Sequence, residues 1–296
     1  MVRIISYSLI FFILSSSIIF AQLDSTSKNI LNIKLVKFKP RDIYKIKLIK
    51  LFLNKADAKY RISHLNFQIT KPREFEEIKT GRLVNVGTFT STKKYEKALI
   101  PIRYPIYRGL IGYRIFIINK SKQNLFNKHT SIQKLKKLVS AQGLSWSDYD
   151  ILKYNGFNVY QVCYRNIFRM LNLNHGIDFF PRGVYEIFFE MDRYAKQFQN
   201  LIIEKHLLIH YPLGMYLYVS PKTPEIAKAL NRGLNLSLQD GSLAKLLQGK
   251  IIGDYTIKEV LQKAKLKNRK IFNLTNPFLT KETKQLLSTY WINPLK

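Results

Sequence analysis

The amino-acid sequence predicts a two-lobed α/β protein in which each lobe is a mostly parallel sheet flanked by helices, with a cleft between the lobes. Three observations predict this fold class. Strand-like and helix-like segments alternate in the first third of the chain, the alternation returns in the middle third, and extended segments join the two units. Strands that alternate with helices form parallel sheets covered by helices. The chain has 296 residues, 46% of them hydrophobic, and can therefore bury one large core or two medium ones.

The first unit is predicted to run strand, helix, strand, helix and strand. Residues 30–38 alternate and are rich in β-branched side chains, as strands are. Residues 41–55 space their apolar side chains for a helix with a broad buried face. A later helix has Pro72 near its start and Gly81 as its stop. The remaining two strands are expected at 59–67 and 82–89.

An extended segment leaves this unit and a second alternating unit follows. Residues 96–112 contain two prolines and two glycines ahead of an apolar strand, Tyr113–Asn119. Ser131 is expected to open the next helix, and Gly156 and Gly176 to stop later ones. The expected order is helix 131–138, strand 139–143, helix 145–156, strand 157–162, helix 164–176, strand 177–181 and helix 183–198.

The chain is then predicted to return to the first unit. Residues 206–220 form an extended, mainly apolar segment, and two helices follow within residues 223–250. Two α/β units joined by extended crossings indicate two lobes that face each other across a cleft.

The N-terminal segment has the layout of a secretory signal peptide. Arg3 precedes an unbroken run of apolar and serine residues that ends at Ala21, so the mature chain is expected to start near Gln22 in the periplasm. The alternative is an uncleaved membrane anchor, because the apolar run is nearly long enough to span a bilayer. No later segment approaches ~20 consecutive apolar residues.

The single cysteine and the charge constrain the class of protein further. Cys163 lies between apolar neighbours, forms no internal disulfide and is expected to be a buried packing residue. Lysine and arginine number 49 against 19 acidic residues, a net charge of +30 that attracts anionic partners. The basic residues are spread along the chain without a nucleic-acid-binding signature. This distribution favours a solvated basic surface over a dedicated polyanion site or a nucleic-acid-binding site. Such a surface would make at most weak contact with anionic envelope polymers.

Motifs for catalysis are absent from the sequence. The five histidines show no H-E-x-x-H spacing, and neither a G-x-S-x-G elbow nor a G-x-x-x-x-G-K phosphate loop occurs. We therefore expect a protein that is not an enzyme and that uses no cofactor or metal.

Four segments carry a resemblance to a known family: "IPIRYPIYRGLIGYR", "GLSWSDYDIL", "IDFFPRGVYE" and "LQDGSLAKLL". In this order they resemble the periplasmic solute-binding proteins of family 3, and more closely a divergent bacterial subgroup of ABC-transporter substrate-binding-like proteins. The resemblance implies the type 2 periplasmic-binding-protein fold, with lobe one at 22–114 and 214–296 and lobe two at 115–213. It also implies a monomer that presents a small polar ligand to an ABC permease.

The departures from the family concern the ligand. The family's amino-acid binders hold the ligand carboxylate with arginine in a Thr-x-x-Arg context, where this chain has lysines and Tyr95. Arg182 and Gly183 occupy the place of the family's ammonium-binding aspartate. A guanidinium at the start of a helix suits an anion, so Arg182 is expected to anchor an anionic ligand and to be dispensable for folding. Alternatively, Arg182 forms a structural salt bridge with Glu186 at i+4.

The other candidate ligand residues each have a structural alternative. Gly143, Ser145 and Trp146 precede a helix and either bind the ligand or simply start the helix around a core tryptophan. Asp148 either reaches the ligand or stabilises the first turn of that helix. The last candidates are Arg108 and Arg114, which either line the cleft or brace the hinge, and Phe89, which forms either an aromatic wall or part of the core.

The sequence therefore predicts a secreted solute-binding-like protein that binds a small, anionic polar ligand in an interlobe cleft and presents it to an ABC importer. The alternative is an envelope adaptor or structural protein without a ligand, whose basic surface binds anionic polymers.

Overall fold

The computed structural model describes residues 30–39, 42–251 and 253–295. The predicted signal peptide, residues 1–21, lies outside this part of the chain. None of the described helices combines the length and hydropathy needed to cross a membrane.

Strands and helices alternate over most of the chain, as predicted. The first elements are β1 (Leu31–Leu35), α1 (Ile43–Lys55), β2 (Tyr60–His64), α2 (Lys71–Thr80), β3 (Val86–Thr90), α3 (Lys93–Ala98) and β4 (Ile100–Ile102). The middle elements are β5 (Tyr113–Asn119), α4 (Ile132–Lys137), β6 (Val139–Gly143), α5 (Ser147–Tyr154), β7 (Asn158–Val162), α6 (Tyr164–Asn172), β8 (Phe179–Gly183), α7 (Ile187–Tyr194), β9 (Leu201–Ile203) and β10 (Leu207–His210). The last elements are β11 (Met215–Val219), α8 (Pro224–Gln239), α9 (Ser242–Leu247), α10 (Ile257–Ala264), β12 (Lys270–Asn273), α11 (Lys281–Gln285) and α12 (Leu287–Tyr290).

The strands form three sheets that define two lobes. In the first lobe, β1 pairs with β2, and β11 lies between β3 and β4. In the second lobe a large sheet has the order β12-β10-β5-β8-β6-β7, and β9 also pairs with β5. The large sheet contains both parallel and antiparallel strand pairs. β6 runs parallel to β7 and β8, whereas β5 is antiparallel to β8, β9 and β10. The antiparallel β5 is the strand by which the chain enters the second lobe.

Local sequence signals explain where several helices begin and end. The Thr70 hydroxyl accepts a hydrogen bond from the Arg73 amide (3.4 Å) before α2, and Gly81 ends that helix with φ of 67°. The Ser131 hydroxyl accepts one from the Lys134 amide (3.2 Å) at the start of α4. The predicted stop at Gly81 and start at Ser131 therefore match the structure.

The first lobe is built around the packing of α1 against α8. Leu48 and Phe52 of α1 are buried, as the helical spacing of apolar residues requires. On α8, Gly233 lies so close to α1 that an added Cβ would overlap the Phe52 carbonyl oxygen. A glycine here sets the distance between the two helices.

The C-terminal part of the chain departs from the predicted division into lobes. β12 pairs with β10 in the large sheet, and Val260 and Ala264 of α10 pack in the core of the second lobe. Residues 257–273 therefore belong with the second lobe, whereas all of 214–296 was expected in the first. The strands Lys270–Asn273 and Leu201–Ile203 and the helix Lys93–Ala98 were also missed.

Two further expectations need correction. Cys163, expected to be buried, is exposed at the N-terminus of α6. The helix predicted from Gly183 begins only at Ile187, because β8 continues to Gly183 and a turn follows in which the Glu186 amide donates to the Gly183 carbonyl (2.7 Å).

Candidate functional site

A cavity of about 200 Å³ lies between the two lobes. The first lobe contributes the end of β3 and the starts of α1 and α2, and the second contributes the start of α5, the end of β8 and the first turns of α7. Tyr107 and Ile111 reach the cavity from the extended crossing. The site is thus assembled from both lobes and from the connection between them.

Arg182 forms the floor of the cavity on the second lobe. Its Nε donates to Oε2 of Glu190 (2.7 Å) and its Nη2 to Oε1 of the same carboxylate (2.8 Å), while Nη2 also lies 2.9 Å from Oε2 of Glu186. The guanidinium carbon lies 4.7 Å from the Trp146 ring centroid, within cation–π range. Its side chain is only 3% exposed. Arg182 is therefore held on three sides by protein groups.

The carboxylates keep this buried arginine charged. Burial lowers the pKa of Arg182, but Glu186 and Glu190 raise it, and the net pKa lies well above the ordinary value. Tyr164 donates its hydroxyl to Oε1 of Glu190 (2.7 Å). Burial, followed by the charge of Glu190, raises the pKa of Tyr164. The group is a preorganised ionic network rather than a set of isolated charges.

Arg114 forms a second buried ion pair beside the first. Its Nη2 lies 2.5 Å from Oδ1 of Asp148 and its Nη1 lies 3.6 Å from Oε2 of Glu186. The Tyr211 hydroxyl also donates to Oδ1 of Asp148 (2.5 Å). Arg114 is the second residue of β5 and Tyr211 follows β10, so Asp148 at the start of α5 is bound to both segments that connect the lobes.

The first lobe supplies a cation and an aromatic wall. Nζ of Lys71 lies 2.7 Å from Oε2 of Glu74, donates to the Thr88 carbonyl (3.0 Å), and sits 4.8 Å from the Phe89 ring centroid. The Phe89 and Tyr95 rings lie 4.7 Å apart. Since the Lys71 side chain is 42% exposed, its ammonium is more accessible than either buried guanidinium.

Seven of the ten predicted ligand residues line this cavity. They are Phe89, Arg114, Ser145, Trp146, Asp148, Arg182 and Glu186. The structural alternatives hold for two of them: Arg182 forms the expected i+4 salt bridge with Glu186, and Asp148 lies in the first turn of α5. Their contact with a ligand stays a prediction.

The other three predicted residues lie beside the cavity. Gly143 packs under the Trp146 ring, where an added Cβ would come within 2.5 Å. The Gly183 amide donates to Oε2 of Glu186 (3.2 Å). Arg108 donates from Nε to the Tyr290 carbonyl (3.0 Å) and thus ties the crossing to the C-terminal segment, while the expectation that it braces the hinge stays a prediction.

Several lining residues were missed. Glu190 was the most accessible to sequence reasoning, because it follows Glu186 at i+4 and so shares its face of the helix. The others include Lys45, Lys71, Thr88, Thr90, Tyr107, Tyr164, Tyr185 and Phe189, which only the tertiary structure brings to the cleft.

The lining residues combine charges of both signs with aromatic walls. Four basic side chains, those of Lys45, Lys71, Arg114 and Arg182, and three acidic ones, those of Asp148, Glu186 and Glu190, lie around an aromatic-walled space. Such convergent polar groups fix the orientation of a small ligand. Within the described ranges, no group of three or more histidine, cysteine, aspartate or glutamate residues is arranged to hold a metal ion.

Comparison with solved structures identifies the fold. An ancestral arginine-binding protein bound to glutamine aligns with a TM-score of 0.54 at 15% identity, over 75% of this chain and 98% of that one. An arginine-specific periplasmic binding protein from Salmonella typhimurium gives a TM-score of 0.53 at 11% identity, over 73% and 97%. No family model and no curated protein matches the sequence.

A third similar structure belongs to another class of protein. A histidine kinase sensor domain with similarity to periplasmic binding proteins has a TM-score of 0.53 at 11% identity, over 74% of this chain and 94% of that one. At these identities the likeness shows the fold alone. The type 2 periplasmic-binding-protein fold that the sequence resemblance implied is thereby confirmed.

Proposed function

We propose that this chain is a periplasmic solute-binding protein that encloses a small polar ligand with an anionic group and presents it to an ABC importer. The observation that carries the proposal is the cavity of about 200 Å³ lined by side chains of both lobes. A ligand that contacts both lobes stabilises their closed arrangement, which is how hinge-bending proteins couple binding to a change of shape. The similar solved structures include amino-acid-binding proteins, which supports a binding role rather than catalysis.

The proposed anion contact is on the first lobe. Both buried arginines already face carboxylates, so a ligand gains less from Arg182 than the sequence alone suggested. Lys71 also faces a carboxylate, that of Glu74, but it is the more exposed cation, and Thr90 lines the same cavity. A ligand carboxylate beside Lys71 gains a charge-assisted hydrogen bond. Arg114 and Arg182 partly neutralise the three carboxylates of the floor, those of Asp148, Glu186 and Glu190.

The test is a thermal-shift screen of the mature protein against amino acids, dicarboxylates, phosphate esters and sulfonates. A ligand that binds only the folded state raises the melting temperature. The hit is then titrated by calorimetry into Lys71→Ala and Lys79→Ala, two variants of the same helix. Lys79 pairs with Glu76 and lies outside the cavity.

The two variants should behave differently. Loss of a charge-assisted contact costs about 1.5 to 3 kcal/mol, so Lys71→Ala should weaken binding by roughly ten- to a hundred-fold. Lys79→Ala should bind as the wild type does. Equal affinity in both variants would remove Lys71 from the site, and a screen without any hit would refute the solute-binding proposal.

A second function class is supported by the charge. The chain has 49 basic and 19 acidic residues, and its net positive charge suits an envelope protein that binds anionic polymers. Binding to DNA or heparin that persists at several hundred millimolar salt would favour this alternative. A basic surface that is merely solvated should bind DNA or heparin weakly, and salt should abolish that binding.

Export through a cleaved signal peptide is part of the proposal. Its basis is the apolar run between Arg3 and Ala21. Intact-mass analysis of protein from envelope fractions should find a chain that begins near Gln22, whereas a chain that retains Met1 would indicate an anchor.

A further inference from the structure

The surroundings of Arg182 have the chemistry of a binding site for a guanidinium group. Both oxygens of Glu190 accept hydrogen bonds from Arg182, one from Nε and one from Nη2, a paired geometry that a guanidinium matches and an ammonium does not. The guanidinium carbon lies 4.7 Å from the Trp146 ring centroid, 4.9 Å from that of Phe180 and 6.0 Å from that of Tyr164. A carboxylate and three aromatic rings thus surround one cation.

This guanidinium site borders the cleft. Arg182, Glu190, Trp146 and Tyr164 all line the cavity of about 200 Å³ between the lobes. The side chains of Arg182 and Glu190 are each only 3% exposed, so the site is filled by the protein's own arginine. Removal of that side chain would leave space for a guanidinium group beside the cleft.

The carboxylates of the site already have partners. Oε1 of Glu190 accepts from the Tyr164 hydroxyl (2.7 Å) as well as from Arg182. Oε2 of Glu186 lies 2.9 Å from Nη2 of Arg182 and 3.6 Å from Nη1 of Arg114. A ligand guanidinium could therefore reach Glu190 only by displacing Arg182, and it would gain no free carboxylate there.

We infer that Arg182 is a specificity-determining residue: its side chain occupies the place that the guanidinium group of a ligand would otherwise take. The chain therefore selects against ligands that carry a guanidinium group, and removal of Arg182 makes the cleft accept them. This inference rests on the proposed function and adds to it a class of ligand that the cleft excludes.

The test compares L-arginine with L-citrulline. The two molecules have nearly the same shape, but citrulline carries an uncharged urea group in place of the guanidinium and so cannot form the ion pair with Glu190. Each is titrated by calorimetry into the mature wild-type protein and into Arg182→Ala. The wild type should bind arginine no more tightly than citrulline. Arg182→Ala should bind arginine at least about ten-fold more tightly than citrulline, a difference of about 1.4 kcal/mol or more.

Arg269→Ala is the matched control for the loss of a buried arginine. Nη1 of Arg269 lies 3.3 Å from Oε2 of Glu204, and the two side chains are 6% and 0% exposed. Neither residue lines the cleft. Arg269→Ala thus also removes the cation from a buried carboxylate, but away from the cleft, and should show no preference for arginine. An equal preference in both variants would mean that arginine refills any vacated arginine site, which would overturn the special role of Arg182.

The double variant Arg182→Ala/Glu190→Gln tests the carboxylate. It keeps the vacated space and removes the charge, so the preference for arginine over citrulline should fall below about three-fold. A preference as large as that of Arg182→Ala would place the bound guanidinium elsewhere in the cleft and would count against the inference.

The folding of Arg182→Ala gives a second readout. A ligand that binds only the folded state raises the melting temperature, so arginine should stabilise this variant in circular dichroism melts more than citrulline does. If Arg182→Ala is unfolded on its own, arginine should restore the folded spectrum and citrulline should not. Recovery with neither compound, or equally with both, would refute the inference.

The outcomes separate this inference from the proposed function. Arg182→Ala without a preference for arginine would refute the specificity role of Arg182, whereas the screen of the wild type against other ligands decides the solute-binding function. A wild-type protein that prefers arginine to citrulline would also refute the inference, but it would support the solute-binding function.

Discussion

The hydroxyl oxygens of Thr90 and Ser147 lie 2.8 Å apart across the cleft. Thr90 ends β3 in the first lobe and Ser147 begins α5 in the second. Because a hydrogen bond of this length requires the lobes to be in contact, the structure represents a closed arrangement of the cleft.

Removal of this hydrogen bond should favour opening. Thr90→Val keeps the side-chain shape and removes the hydroxyl, at a cost of about 0.5 to 1.5 kcal/mol to the closed form. We expect a larger radius of gyration in X-ray solution scattering without ligand, and ligand affinity about two- to ten-fold weaker. Thr289→Val, at an exposed position of α12, should change neither quantity. If Thr90→Val also left both unchanged, the contact would not hold the lobes together.

Glu190 should contribute strongly to stability. Glu190→Gln replaces the charge that binds Arg182 at two points, and loss of one partner from a buried pair costs about 3 to 5 kcal/mol. Asp254→Asn disrupts the exposed pair with Lys250 and should cost less than about 1 kcal/mol. Urea unfolding measures both free energies of unfolding. Similar small losses in the two variants would mean that the Arg182 network is not a stability element.

The same network changes what is expected of Arg182→Ala. The sequence suggested that folding would barely respond, but removal of this guanidinium leaves the buried Glu190 carboxylate without its cation. Any loss of ligand affinity in Arg182→Ala must therefore be measured at a temperature where the variant is still folded.

His210 should make stability depend on pH. Burial lowers its pKa, although a hydrogen bond with Asn273 raises it in part. The unfolded chain then binds more protons than the folded one, so the free energy of unfolding should fall as pH drops below about 6.5 toward the folded-state pKa. His210→Gln should show a smaller loss between pH 7.5 and 5 in urea unfolding. An equally steep loss in that variant would assign the pH dependence to other groups.

Gly233 should resist substitution. Helix propensity alone favours Gly233→Ala by about 1 kcal/mol, but the new Cβ overlaps the Phe52 carbonyl oxygen, so α1 and α8 must separate. We expect a net loss of about 2 kcal/mol or more in the free energy of unfolding. Asn235→Ala, on the exposed face of α8, should stay within about 0.5 kcal/mol. A stabilised Gly233→Ala protein would show that the helices can move apart at little cost.

The sequence predicted the strands and helix ends that depend on local residue patterns. Alternation located β1 to β3 and β5 to β8, and the signals at Ser131 and Gly81 located helix ends. Seven of the ten ligand candidates line the cavity, and they lie in or near the ends of β3, β5, β6 and β8. Open α/β sheets bind ligands beside strand ends, and the ligand role of these residues stays a prediction. Lys71 and the pairing of Arg182 with Glu190 were missed because both depend on contacts between separate elements. β12 was missed because its short segment acquires strand character only by pairing with β10.

The placement of β12 has a mechanical consequence. The chain passes between the lobes before β5 and after β10, enters the second lobe again before α10, and leaves it after β12, since Thr280 and Thr283 hydrogen-bond to Glu96 of α3. Two adjacent connections would allow the lobes to twist as well as bend. Four connections resist torsion and leave one axis of rotation. Each cycle of opening should therefore bring the same two surfaces back into register, so that selectivity depends on a fixed gap rather than on adaptation to each ligand.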